Sequence, residues 1–296
     1  MKAQFLTPAI SVFHSDGTLD LEGNQKVYDY LLSSGIDGLV LMGSTGEFFS
    51  MTMEMQKQLI DFAASYMNRT RVIVGVSRMI AGEVIDLANY AYRKGLTEVL
   101  VVSPYYFRFT EESLFNWFSQ IAQGTPASIF LYNFPERTAH DLNSQLVLRL
   151  ARAHRNIVGI KDTVTEMGHT SDILCKLKPE FPDFQVFSGY DDNLVHNVMS
   201  GGAGVIGGLS NLLPKQCSTW ARAIDAGDLA GIVRGQQFIN NAMALYGIAP
   251  LFIPVLKCGL QMLGLEIDDA CTAPISELND AQKAALRQQL KQLGVL

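Results

Sequence analysis

Short apolar runs alternate with amphipathic stretches along most of the chain. The runs are Leu6–Phe13, Ile36–Met42, Arg71–Val76, Glu98–Val102, Ala127–Tyr132, Ile157–Lys161, Phe184–Phe187 and Gly204–Ile206. Most are nearly continuous and rich in Val and Ile, the pattern of strands buried on both faces. Between them, Asn24–Leu32, Met55–Tyr66, Val84–Tyr92 and Glu111–Ile121 carry helical spacing. Thr110, followed by Glu111 and Glu112, supplies an N-cap oxygen and an acidic first turn. Strands that alternate with helices imply a parallel sheet. Eight of them close a (β/α)8 TIM barrel, with a doubly wound open sheet as the alternative. After Asn211 the strand pattern stops and helical patterns continue, interrupted by Pro250 and Pro254. The expected organisation is a barrel over residues 1–224 and a C-terminal helical extension over 225–296. No Gly/Ser- or Pro-rich linker separates the two, so the extension should pack on the barrel.

Composition narrows the class. Of 296 residues, 48% are apolar and 18% charged, enough for a sizeable core and too apolar for disorder. The net charge of −6, with no basic run, argues against nucleic acid as a partner. No apolar run approaches the ~18 residues of a membrane span. The N-terminal MKAQFLTPAISVFHSDG does not read as a signal peptide, so the sequon Asn68-Arg69-Thr70 carries no weight. Cys175, Cys217, Cys258 and Cys271 lie far apart, and the five histidines include no i, i+4 pair. Neither a zinc site nor a disulfide framework is expected. The thiols read as those of a cytoplasmic protein, and no metal or cofactor is expected.

In a barrel of this kind the active site lies at the C-terminal ends of the strands. Those ends read Thr7-Pro8, Gly43-Ser44-Thr45-Gly46-Glu47, Ser103-Pro104-Tyr105-Tyr106, Tyr132-Asn133-Phe134-Pro135, Lys161-Asp162, Gly189-Tyr190-Asp191-Asp192 and Gly207-Gly208. Lys161 is the most informative, because it closes the apolar run Ile157-Val158-Gly159-Ile160 at the rim of a low-dielectric interior. An amine is a nucleophile only without its proton, and desolvation disfavours the charged form; Schiff-base lysines occupy such places. A strand-exit lysine paired with Asp162 is the plainer alternative. Tyr132 ends the neighbouring strand and can relay protons in the same mouth, or be an aromatic rim residue. Ser44-Thr45-Gly46 offers two hydroxyls and a turn of free N–H groups suited to a carboxylate, or is an ordinary strand-to-helix turn. Arg137 could hold a second carboxylate bidentately or sit on the surface.

Two patterns invite other chemistry. Gly202-Ala203-Gly204-Val205-Ile206-Gly207 fits G-x-G-x-x-G, but a dinucleotide fingerprint must follow a strand and open a helix. Here it precedes and enters the last strand, and close backbone packing explains it better. Asp191-Asp192 has no further carboxylate or His spacing to build a metal site, and suits substrate hydroxyls instead.

At these strand ends the chain resembles the dihydrodipicolinate synthase / N-acetylneuraminate lyase family of class I aldolases. The motifs are Gly43-Ser44-Thr45-Gly46-Glu47, Ser103-Pro104-Tyr105-Tyr106, Tyr132-Asn133-Phe134-Pro135, Gly159-Ile160-Lys161-Asp162 and Gly189-Tyr190-Asp191-Asp192, and they run through nearly the whole chain. The resemblance implies a (β/α)8 barrel in homotetramers built as a dimer of dimers. It implies an imine between Lys161 and pyruvate or another 2-oxo acid, with Tyr132 as proton relay and Ser44 and Thr45 on the pyruvate carboxylate. Tyr106 matches the tyrosine that completes the relay across a subunit interface. Gly189 and Ile206 match backbone positions that line the site.

The second substrate, an aldehyde, divides the motifs. Arg137 matches the arginine that dihydrodipicolinate synthases carry for aspartate semialdehyde, yet Ser44, Ala139-His140 and Asp162 depart from that branch. Tyr132-Asn133-Phe134-Pro135, Lys161-Asp162-Thr163 and Gly189-Tyr190-Asp191-Asp192 are more similar to the 2-keto-3-deoxy sugar-acid aldolases. Gly43–Glu47 with Phe49 is similar to the sialic-acid lyases as well. The expected reaction is reversible retro-aldol cleavage of a 2-keto-3-deoxy sugar acid to pyruvate and an aldehyde, with Asp191 among the groups that bind the polyol. Condensation of pyruvate with aspartate semialdehyde, and sialic-acid cleavage, are the alternatives. A non-catalytic 2-oxo-acid-binding protein and a metal-dependent aldolase stand behind them.

Overall fold

A strand falls on each of the eight apolar runs. They are β1 (Gln4–Pro8), β2 (Gly38–Leu41), β3 (Arg71–Gly75), β4 (Glu98–Val102), β5 (Ser128–Asn133), β6 (Ile157–Asp162), β7 (Gln185–Ser188) and β8 (Gly204–Ile206). The structure, a computed structural model, describes residues 2–296. Helices α1 (Leu21–Ser33), α2 (Met53–Ala63), α3 (Ala81–Arg93), α4 (Glu111–Gly124), α5 (Pro135–Thr138), α6 (Ser144–Ala153), α7 (Met167–Leu177) and α8 (Leu194–Met199) fill the gaps between strands. After β8 come α9 (Pro214–Ala226), α10 (Leu229–Ala242), α11 (Ile253–Met262) and α12 (Asp280–Gln292).

β1 pairs in parallel with both β2 and β8, so the sheet closes on itself and the open-sheet alternative falls. The strands are buried on both faces apart from residues near their N-terminal ends, as their continuous apolar runs require. The helices start where side-chain oxygens can take an orphan N–H: Thr110 Oγ1 accepts from Ser113 N at 3.2 Å, and Asp20, Thr52 and Asn143 cap α1, α2 and α6 likewise. α9 packs on β1 and α10, and the segment between α10 and α11 returns over the strand ends. No helix among the described residues is long and apolar enough to cross a membrane.

Two details of the strands differ from a reading of hydrophobicity alone. Of Leu6–Phe13 only Leu6, Thr7 and Pro8 are strand. Ala9–Phe13 is equally buried, but Ile10 N donates to Asn211 Oδ1 and Val12 N to Asn24 Oδ1, so side chains replace a strand partner there. In β6, Ile157 pairs with Ile129 but Gly159 pairs with Phe130, which makes Val158 an extra residue, a bulge. Above it, Tyr132 stands level with Lys161 and Asn133 with Asp162. Gly204 has φ 138° and a β-carbon there would lie 1.9 Å from the Gln4 carbonyl oxygen. The Gly202–Gly207 pattern is therefore a close approach of backbones.

Candidate active site

The C-terminal ends of the strands enclose a cavity of about 220 Å3. Ser44, Thr45, Tyr132, Lys161, Gly189 and Ile206 all line it, and Arg137 stands at its edge on the short helix α5. Lys161 is buried, and its Nζ donates to the Tyr132 hydroxyl at 3.5 Å and lies 4.5 Å from the centre of that ring. The Tyr132 hydroxyl is also 3.3 Å from Ser44 Oγ, so amine, phenol and serine form one chain of contacts. Among the described residues Lys161 has no carboxylate partner.

The plainer alternative for Lys161, an ion pair with Asp162, fails because successive strand residues face opposite ways. Asp162 turns toward the helix layer, where its carboxylate accepts from Asn133 Nδ2 at 2.9 Å and Thr170 Oγ1 at 2.7 Å, and meets His169 Nδ1 at 2.9 Å. His169 Nε2 lies 3.0 Å from Asp141, whose other oxygen accepts from Asn133 at 2.8 Å. Each residue of the Tyr132–Lys161 pair is thus followed by a residue of this polar cluster.

His169 between two carboxylates is held as a cation. Burial alone would lower its pKa, but the hydrogen bonds and charges of Asp141 and Asp162 prevail and push it from 6.5 up to about 10. Because the folded value exceeds the unfolded one, the stabilisation is complete below pH 6.5 and is lost as pH rises toward about 10. The side chain is 22% exposed, so solvent screens part of the effect, leaving on the order of 2 kcal/mol. Urea titrations of the wild type should show stability falling across that window. In His169→Gln the fall should flatten; an unchanged slope would remove His169 as its cause.

The turn after β2 has the features a carboxylate needs. Thr45 is buried, and the amides of Ser44 and Thr45 meet no acceptor among the described residues. Glu47, in a left-handed conformation at φ 58°, anchors this turn from behind. Its buried carboxylate lies 2.5 Å from Lys257 Nζ on α11 and accepts from Thr272 N and Oγ1 at 2.7 Å each. Arg137 has no ion pair among the described residues; its guanidinium lies 5.5 Å from the Phe134 ring centre and faces both this cavity and an adjoining apolar one of about 310 Å3.

Two expected residues lie outside the cavity, one of them, Tyr106, expected at a subunit interface. Asp191 does not reach the mouth: it is fully buried, Oδ1 accepts from Leu209 N at 3.1 Å and Oδ2 from the Tyr246 hydroxyl at 2.6 Å. Both oxygens are committed inside the protein, so Asp191 is corrected from a polyol ligand to a buried anchor. Tyr106 lies outside the cavity, with its ring 84% exposed on a backbone of φ 84°.

Other lining residues escaped the sequence reading. Thr163 is buried at the cavity with its hydroxyl unpartnered; its spacing of two from Lys161 on one strand face was the available signal. Tyr246, Phe252 and Met243 come from the C-terminal extension, and no local pattern announces that they fold back over the strand ends.

A buried lysine amine at the C-terminal mouth of a closed parallel barrel has the setting that a class I lyase, an enzyme that works through an imine on a lysine amine, requires. The chain belongs to the dihydrodipicolinate synthetase family, whose model matches residues 1–293. It is 34% identical to the probable 2-dehydro-3-deoxy-D-pentonate aldolase YjhH of Escherichia coli K12, over 98% of this chain and 97% of that protein. A 4-hydroxy-tetrahydrodipicolinate synthase of Nitrosospira multiformis is also 34% identical, over 98% of this chain and 95% of that one. The crystal structure of YagE, a prophage protein of E. coli K12 in complex with pyruvate, matches with a TM-score of 0.96 at 32% identity, covering 99% of each chain.

Proposed function

We propose that this enzyme cleaves a 2-keto-3-deoxy sugar acid reversibly to pyruvate and an aldehyde. The observation that carries the proposal is the buried Lys161 amine with no carboxylate beside it, 3.5 Å from the Tyr132 hydroxyl. The amine attacks the 2-oxo carbon, and loss of water gives an iminium. This cation takes up the electron pair of the breaking C3–C4 bond, leaving an enamine that is protonated and hydrolysed to pyruvate. Tyr132 carries the protons between amine, leaving hydroxyl and aldehyde oxygen. Ser44 and Thr45, with their free amides, hold the substrate carboxylate, and Gly189 and Ile206 border it.

The relatives support a polyol substrate: YjhH is named for a deoxypentonate, and YagE as a candidate 2-dehydro-3-deoxy-D-gluconate aldolase. The free Arg137 guanidinium favours a second reading, condensation of pyruvate with aspartate semialdehyde, for which the synthase relatives are named. A pyruvate-release screen over 2-keto-3-deoxygluconate, its pentonate analogue and sialic acid, beside a condensation assay with aspartate semialdehyde, decides between them. Borohydride added with pyruvate should leave a reduced adduct on Lys161 by mass spectrometry, and no added mass there would refute the imine. Tyr132→Phe should lower kcat by about 10²-fold or more with the adduct still forming slowly; unchanged turnover would remove Tyr132 as the relay.

The proposal includes a cytoplasmic homotetramer, a dimer of dimers. The exposed rings of Tyr106 and Phe107, 4.8 Å apart edge to face, support an interface that brings Tyr106 to a neighbouring mouth. Sedimentation at several concentrations measures the assembly.

A further inference from the structure

We propose that Tyr246 determines specificity for the aldehyde portion of the substrate by accepting a hydrogen bond from one of its hydroxyls, in an orientation imposed by Asp191. The proposal rests on the aldolase reading of this mouth. Tyr246 comes from the C-terminal extension and lines the same cavity as Lys161, Thr163 and Gly208. Its ring is held edge-on by Phe252, with centres 5.0 Å apart. Its hydroxyl donates to Asp191 Oδ2 at 2.6 Å, and Asp191 Oδ1 is already occupied by Leu209 N.

An ionised carboxylate only accepts. If the phenol turned its proton toward a ligand, a fully buried Asp191 oxygen would lose its partner, which is costly for a charged group. The proton is therefore committed, and with the Gly208 N–H turned toward one side of the oxygen, what the phenol offers the cavity is its remaining lone-pair capacity. It can receive a hydroxyl hydrogen, and it repels a carboxylate. Arg137 is the opposite, a donor with nothing to accept. The mouth thus carries one arm for anions and one for alcohols.

Burial and the charge of Asp191 hold the Tyr246 phenol well above its ordinary pKa, so it binds and does not shuttle protons. Burial also pushes Asp191 up to about 6, and in mildly alkaline buffer the carboxylate is ionised. The glycine pair after β8, otherwise unexplained, fits this arrangement. A β-carbon at Gly207 would lie 2.2 Å from Asp191 Oδ1, and one at Gly208 would lie 2.7 Å from the Tyr246 hydroxyl.

The test is the condensation of pyruvate with D-glyceraldehyde and with propanal, which lacks the hydroxyls, in mildly alkaline buffer. In Tyr246→Phe the ratio of kcat/KM for glyceraldehyde to that for propanal should fall about tenfold. Asp191→Asn is the second variant and keeps the phenol. Leu209 N still requires an oxygen at Oδ1, so the amide nitrogen faces Tyr246, donates to it, and turns the phenol proton outward; a hydroxyl can accept that proton, so the glyceraldehyde preference should be kept, while kcat/KM for glyoxylate, whose carboxylate only accepts, should rise relative to propanal. Borohydride trapping of pyruvate reports that each variant is folded and loaded. A ratio unchanged in Tyr246→Phe, or no relative gain for glyoxylate in Asp191→Asn, overturns the proposal while leaving the aldolase reading intact. Wild-type enzyme that forms the pyruvate adduct but condenses with neither aldehyde overturns the sugar-acid reading and the proposal with it.

Discussion

Lys161→Met is expected to lower turnover by at least about 10⁴-fold, because no other amine is placed to form the covalent intermediate. Stability should change little. Met fills a similar volume, Tyr132 keeps Ser44 Oγ as a neighbour, and no carboxylate is left bare. Retention of more than a hundredth of wild-type kcat would sink the imine mechanism. A large shift in the urea midpoint would mean instead that Lys161 holds the barrel together.

The same substitution at the other buried lysine should do the reverse. Lys257→Met strands the Glu47 carboxylate, which is fully buried and has no second cation beside it among the described residues, and frees the Ala270 carbonyl that Lys257 Nζ now meets at 2.6 Å. Removing one partner of a buried pair costs about 3–5 kcal/mol. Pairing Lys257→Met with Glu47→Gln should restore most of that loss, since the double variant buries no unpaired charge. Equilibrium unfolding with an unchanged m-value is the measurement. A single variant within about 1 kcal/mol of wild type would show that Glu47 finds water or another donor.

What could be read from the chain depended on how local each signal was. β3, β4 and β6 follow directly from runs dominated by Val, Ile and Leu, and Lys161 stands out because it closes such a run. Tyr132, Ser44 and Thr45 could be placed in the mouth for the same reason: each follows a strand, and the barrel gathers all strand ends at one face. Asp191 follows a strand too, yet the structure turns it inward to Leu209 and Tyr246. Position after a strand fixes the neighbourhood of a side chain and leaves its direction open.

Contacts between distant segments were not legible. Glu47 and Lys257 each appear as one charge in apolar surroundings, which hints at burial, but nothing in either segment names its partner. Tyr246 sits in a helical stretch whose return over the mouth depends on how α10 and α11 pack. The polar cluster behind Lys161 was hidden because Asp141, in the loop before α6, and His169, on α7, are distant in sequence and meet each other, Asp162 and Asn133 only in the folded barrel.

The surplus residue in β6 bears on any attempt to move this chemistry into another scaffold. Counted up from Ile157 without Val158 standing out of register, Ile160 would come level with Tyr132 and Lys161 with Asn133. The amine would then aim into the surrounding helices and an isoleucine into the mouth. A transplanted set of side chains on an evenly paired host would be inert for that reason alone; the odd length of one strand has to travel with them.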